Sequence, residues 1–160
     1  MKALLINASK ERHGRTQALG EQLLKGLEMK TIHLADYTIA PLGQACDHDE
    51  YAQVIDQLVG QDIIVFGTPV YWSDMTGYLK TFIDRLQELM DTDLASPSNP
   101  FYRAHSYLVI QGTAPEDAIP GVNRVIEHVS ERFFMEYQGS ITSMEEAKRG
   151  NSALRGRRTP

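Results

Sequence analysis

The sequence predicts a doubly wound α/β domain: a three-layer fold with a five-stranded parallel sheet, order 2-1-3-4-5. Two observations lead there. Short apolar runs alternate along the whole chain with longer stretches in which apolar residues recur at helical spacing, the pattern of strand–helix–strand units. The run Ile63-Ile-Val-Phe66 is apolar at every position, as a strand buried on both faces must be. Right-handed crossovers then place helices on both sides of the sheet.

Taken in order, Ala3–Ile6 reads as the first strand, and Asn7–Arg15 as a polar loop with one glycine. From Thr16 a helix is indicated by Leu19, Leu23, Leu24 and Leu27. Thr31–Leu34 forms a short second strand. A loop with Pro41, Gly43 and Cys46 leads to a helix over Asp49–Val59, with Val54, Ile55, Leu58 and Val59 inward. The third strand, Ile63–Phe66, is stopped by Gly67 and Pro69, and Met75, Tyr78, Leu79, Phe82, Ile83, Leu86 and Leu89 mark one long helix. Met90–Arg103 is long for a connection, a length that suits a functional lid. Ser106–Ile110 is the fourth strand, Gln111–Pro120 a loop, Gly121–Met135 a helix and Tyr137–Thr142 the fifth strand. The segment 143–160, basic and interrupted by Gly150 and Gly156, reads as an irregular tail after a domain spanning 1–142. Without a fifth helix, an apolar face would be left for a second subunit to cover, so a homodimer is expected.

The 160 residues suffice for one domain with a core that needs neither disulfide nor metal. A single cysteine excludes an internal disulfide and points to a reducing compartment; only four apolar residues stand between Lys2 and Asn7, so a soluble, cytoplasmic protein is expected. Net charge is −5, unevenly placed. Lys148, Arg149, Arg155, Arg157 and Arg158 lie in a stretch without acids, and the remaining 11 basic residues face 21 acidic ones. A body carrying −10 repels a nucleic-acid backbone.

Three loops after strand ends carry the candidate chemistry. Ser9, Gly14, Arg15, Thr16 and Gln17 surround the start of the first helix, whose free N–H groups and partial positive charge suit a phosphate. Lys10 and Arg12 add charge there. The plainer alternative is that Thr16 caps the helix and the cations are solvated. In the second loop, the backbone of Pro69, Val70, Tyr71, Trp72 and Ser73 can pair with the edge of a heterocycle while Tyr71 or Trp72 lies on its face; alternatively both aromatics are packing residues. Gly112 and Thr113, after the fourth strand, can meet the far side of such a ring. Cys46, Asp47, His48 and Asp49 are ligands by type but lack the spacing of a structural metal site. No metal and no catalytic side chain is assigned.

With these loops in view, the chain resembles the flavodoxin-like NAD(P)H-dependent FMN reductases and quinone reductases over about residues 2–142. Gly67-Thr-Pro-Val-Tyr-Trp-Ser73 running into Lys80-Thr-Phe-Ile-Asp-Arg85 carries most of the resemblance, and Ser9, Gly14 and Thr16 match the family's first loop. Lys10, Glu11 and Arg15 stand where the family has Pro, Arg and a small polar residue. The resemblance implies bound FMN, NAD(P)H as hydride donor and a small acceptor such as a quinone or flavin. Some members carry a Cys-x-x-Cys-x-x-Cys cluster motif, of which only Cys46 is present here. The alternative within the same fold is a flavodoxin-type electron carrier serving protein partners.

Overall fold

The computed structural model describes residues 1–112 and 115–156. Five parallel strands, β1 (Lys2–Asn7), β2 (Glu28–His33), β3 (Ile63–Pro69), β4 (His105–Gln111) and β5 (Glu136–Ile141), lie in the order β2-β1-β3-β4-β5. The strands separate α1 (Arg15–Leu23) and α5 (Met144–Gly156) from α2 (Tyr51–Asp56), α3 (Gly77–Arg85) and α4 (Pro115–Arg132). Strand alternation divides the core: Leu4, Ile6, Ile64, Phe66, Leu108 and Ile110 face α2, α3 and α4, while Ala3, Leu5, Ile63, Val65, Tyr107 and Val109 face α1 and α5. β3 and the middle of β4 are buried at every position, which is why their sequences show no polar alternation.

Several boundaries differ from the sequence reading. Gly67 and Pro69 do not stop β3, which continues to Pro69; the register with β4 runs on through Thr68 and Pro69. Gly67 is required there because a Cβ would stand 2.9 Å from Thr16 Cγ2, where α1 begins against the strand. α4 starts near Pro115 and contains Pro120, so most of the expected loop is helix; Glu116 and Asp117 in its first turn complement the helix dipole.

The larger correction concerns the C-terminal segment. Residues Met144–Gly156 form a helix, not an irregular tail. Its Ala147, Asn151 and Leu154 are buried, and Asn151 Nδ2 donates to Leu23 O and Lys25 O, both at 2.9 Å. Gly150 lies where a Cβ would come within 2.7 Å of Leu23 Cδ1, so it permits close helix packing. The face expected to need a second subunit is covered by the chain's own α5.

The long connection 90–103 is not a lid over the strand ends that carry the candidate loops. α3 carries the chain back across the sheet, so this segment lies at the opposite edge, leading into β4. Asn99 fixes it there, donating to Leu94 O (2.8 Å) and Phe133 O (3.0 Å), and Arg103 N donates to Phe134 O (3.1 Å).

Candidate functional site

The loops that follow β1, β3 and β4 meet at the C-terminal rim of the sheet, the position where open parallel sheets bind ligands. Their placement begins with Asn7, fully buried at the end of β1. Its Oδ1 accepts from Ser9 N at 2.9 Å, and its Nδ2 reaches Gln17 Oε1 (3.1 Å) and His33 Nδ1 (3.3 Å). Ser9 Oγ in turn accepts from Glu11 N at 3.1 Å. Thr76 ties the first loop to the second: its hydroxyl donates to Ala8 O (2.9 Å) and its N–H donates to Thr68 Oγ1 (3.1 Å). Val70 N donates to Gln111 O at 2.8 Å, joining the second loop to the third.

These ties enclose a cavity of about 270 Å³. Ser9, Gly14, Arg15 and Thr16 line one side; Pro69, Val70, Tyr71 and Gly112 line the other. Eight residues singled out in the sequence therefore come together. Glu11 and Gln111 also line it, and the sequence reading gave neither a binding role. The signal for Gln111 was its place at a strand end beside Gly112. Glu11 was noted only as a departure from the family's loop.

Three residues do not join the cavity wall. The Gln17 side chain turns inward, accepting from Asn7 and donating to Glu21 Oε1 (2.9 Å) and Thr31 Oγ1 (3.2 Å). Only its backbone N–H remains at the helix start. Trp72 and Ser73 are the central residues of a tight turn in which Tyr71 N donates to Asp74 O (3.0 Å) and Asp74 N donates to Tyr71 O (3.2 Å). Both have left-handed backbones, with φ of 53° and 59°. This turn projects Trp72 away from the cavity, fully exposed, so Tyr71 is the aromatic at the wall. Thr113 lies outside the described residues.

The donor set fits a mononucleotide. Gly14 stands at the N-cap of α1 without a side-chain cap, so the N–H groups of Arg15, Thr16 and Gln17 face the cavity end without intrahelical acceptors. Thr16 is buried, and its hydroxyl has no hydrogen-bond partner among the described residues. A Cβ on Gly112 would stand 2.9 Å from Val70 Cβ, so the third loop can pass this close only with glycine. Arg15 supplies an exposed cation, and Glu11 opposes it. Arg12 is committed elsewhere, bonded to Asp36 Oδ1 at 2.6 Å.

Burial holds the His33 imidazole below its usual pKa, with Arg12 and His13 acting in the same direction and Asp36 opposing. Neutral His33 can accept from Asn7, which supports the loop that places Ser9. Further back, the Arg85 guanidinium is buried, bonded to Asp49 Oδ2 (2.6 Å), Ala40 O (2.9 Å) and Glu88, and stacked on the Tyr51 ring at 4.4 Å. The Asp49 carboxyl is pushed up by burial, but the Tyr51 N–H and Arg85 outweigh this and hold it below the usual carboxylate range. Arg85 is thus internal and takes no part in the surface. Cys46 is exposed, and no group of three metal-ligating side chains occurs among the described residues.

Fold and rim together define a flavodoxin-like α/β protein whose rim cavity fits a mononucleotide. The sequence profile of the NADPH-dependent FMN reductases matches residues 1–111, and the chain belongs to that family. It is therefore an NAD(P)H-dependent FMN oxidoreductase with FMN as cofactor. YwqN of Bacillus subtilis, named as an NAD(P)H-dependent FMN-containing oxidoreductase, is 28% identical over 97% of this chain and 90% of its own length. An iron-sulfur flavoprotein of Archaeoglobus fulgidus is 33% identical over 53% of this chain and 48% of its own length. Among solved structures, the Trp repressor binding protein of Bacillus subtilis superposes with a TM-score of 0.71 at 22% identity, covering 93% of this chain and 99% of that one. A flavodoxin of Streptococcus pneumoniae superposes at 0.64 with 13% identity, covering 98% of this chain and 99% of that one. No described helix is long and apolar enough to cross a membrane.

Proposed function

We propose that the protein passes reducing equivalents from NAD(P)H through FMN at the sheet rim to a quinone, a flavin or a similar small acceptor. The observation that carries this reading is the single cavity joining the uncapped start of α1 to Tyr71 and Gly112. In it, Ser9, Thr16, Arg15 and the N–H groups of residues 15–17 hold the phosphate, and Gly14 lets the loop close on it. The Pro69–Tyr71 backbone meets the ring edge, Tyr71 offers its face, and Gly112 closes the third side. Thr113, next to Gly112 in the sequence, belongs to the same proposed set, whereas Trp72 and Ser73 turn away from the cavity and are left out of it. When bound, FMN would supply two-electron redox chemistry with NAD(P)H as the donor; the chain's part would be to bind and orient the ring. No side chain is required as an acid or base.

The test is an absorbance spectrum of the purified protein, repeated after anaerobic addition of NADPH. Flavin bands that bleach support the reading. Protein that stays colourless after incubation with FMN overturns it.

A homodimer in the cytoplasm is part of the proposal, on a new footing now that α5 covers its own face. Trp72 is 100% exposed and Tyr71 and Tyr78 are nearly half exposed, an aromatic group that association would bury.

A further inference from the structure

Beyond Tyr71, on the side away from Gly112, lies a second and larger cavity of about 500 Å³. Of the proposed cofactor set, Tyr71 alone lines it. Its walls include Tyr37 and Ile39 from the segment after β2, Tyr71 from the second loop, and Gly77 and Tyr78 at the start of α3. Lys10 is the one charged residue among its lining. The ammonium group has no carboxylate partner among the described residues, whereas the neighbouring Arg12 is paired with Asp36. Tyr71 lines both cavities, so a guest in the second lies one side chain from a guest in the first.

The walls are fixed by the fold. Thr38 N donates to Glu50 Oε2 (2.7 Å), and Glu50 N donates to Thr38 O (2.8 Å). Buried Arg85 holds Ala40 O, so the segment carrying Tyr37 and Ile39 is pinned at both ends. At the start of α3, Thr76 accepts from Leu79 N, which leaves the N–H groups of Gly77 and Tyr78 uncapped. A Cβ at Gly77 would meet nothing within 4 Å, so this face of the helix opens onto space.

We propose that this cavity binds the electron acceptor, and that the acceptor it fits is a planar aromatic with one negative charge. The inference rests on the FMN reading above. The size is that of a small-molecule site, and the aromatic walls suit a flat ring. One unpaired lysine and two open N–H groups in the lining of one cavity suit one anionic substituent. A pyridine dinucleotide, with two or three phosphates, would bring several charges against that single cation. For a quinone acceptor the reaction balances as NAD(P)H + H⁺ + quinone → NAD(P)⁺ + hydroquinone. The hydride provides both electrons and one proton, and solvent provides the second proton.

The test compares a naphthoquinone sulfonate with menadione, its uncharged relative, in wild type, Lys10→Gln and Gly77→Val. Lys10→Gln should raise KM for the sulfonate about tenfold and leave that for menadione within about twofold. Gly77→Val, which fills the cavity, should raise KM for both. Contrary to the sequence reading, Lys10 lines this cavity and not the phosphate end, so FMN affinity, read by fluorescence quenching, and the rate of anaerobic bleaching by NADPH should stay within about twofold in both variants. Equal changes for the two quinones in Lys10→Gln, or slower bleaching, would assign the cavity to another ligand. Should wild type bind no flavin, the functional reading fails by itself. Calorimetry of the sulfonate on the flavin-free protein then decides for the cavity: binding weakened by Lys10→Gln supports it, and no binding to wild type overturns it.

Discussion

At the scale of single residues, Glu11 is the side chain that works against the proposed ligand. It lines the phosphate end of the cavity together with Arg15 and contributes a like charge. Because it is exposed, solvent screens the repulsion and the effect is modest. Glu11→Gln should tighten FMN binding about threefold to fivefold at low salt, with the gain shrinking as salt is added. A titration of flavin fluorescence checks this; weaker binding in the variant would mean that Glu11 holds the loop and does not repel the ligand. Ser9, Gly14 and Thr16 were legible in the sequence because each has a local reason to sit at a strand–helix junction. Gln17 was not legible, since the groups that turn its amide inward, Asn7 and Thr31, come from two different strands. The choice between Tyr71 and Trp72 stayed open in the sequence for a related reason. The direction of the Trp72 ring is set by two successive left-handed residues, a conformation that costs roughly 1–2 kcal/mol for each non-glycine and that no composition rule anticipates.

At the scale of elements, helices with broad apolar stripes were read well, and helices with narrow ones were not. α4 buries Val122, Ile126 and Val129 at the expected spacing. α5 buries only a strip of three residues, Ala147, Asn151 and Leu154, one of them polar, so its periodicity is faint. Gly150 made matters worse: in a sequence it looks like a breaker, yet here it is the contact point between α5 and α1. Gly150→Val should therefore destabilise the protein by about 1–3 kcal/mol, lowering the melting temperature by roughly 2–12 °C. A thermal melt followed by circular dichroism measures it; no change would show that α5 packs more loosely than the Asn151 hydrogen bonds require. The same reasoning explains the 90–103 segment. Its length suggested a lid, but any connection that follows a crossover helix in a parallel sheet lies at the edge opposite the ligand rim.

At the scale of the whole molecule, strand order was legible because alternation of strands and helices leaves few topologies. Association was not. The sequence argument for a partner rested on a missing helix, and the helix is present. What remains is the exposed aromatic group of Tyr71, Trp72 and Tyr78 beside the rim. Light scattering at micromolar concentration should give twice the 18.0 kDa chain mass, and Trp72→Ala should reduce it toward one chain. A wild-type mass of one chain removes the dimer from the proposal and leaves the cofactor site intact.

The separation of the two sheet edges gives the fold a division of labour. Every group proposed to touch a small molecule lies at one end of the strands, while the chain between Met90 and Arg103 is anchored at the other through Asn99 and Arg103. Changes confined to residues 95–98, none of them buried and all short of buried Asn99 and Phe101, should leave the chemistry undisturbed. That stretch is the place where such a protein can be joined to another polypeptide, or can diverge, without relearning how to hold its ligand.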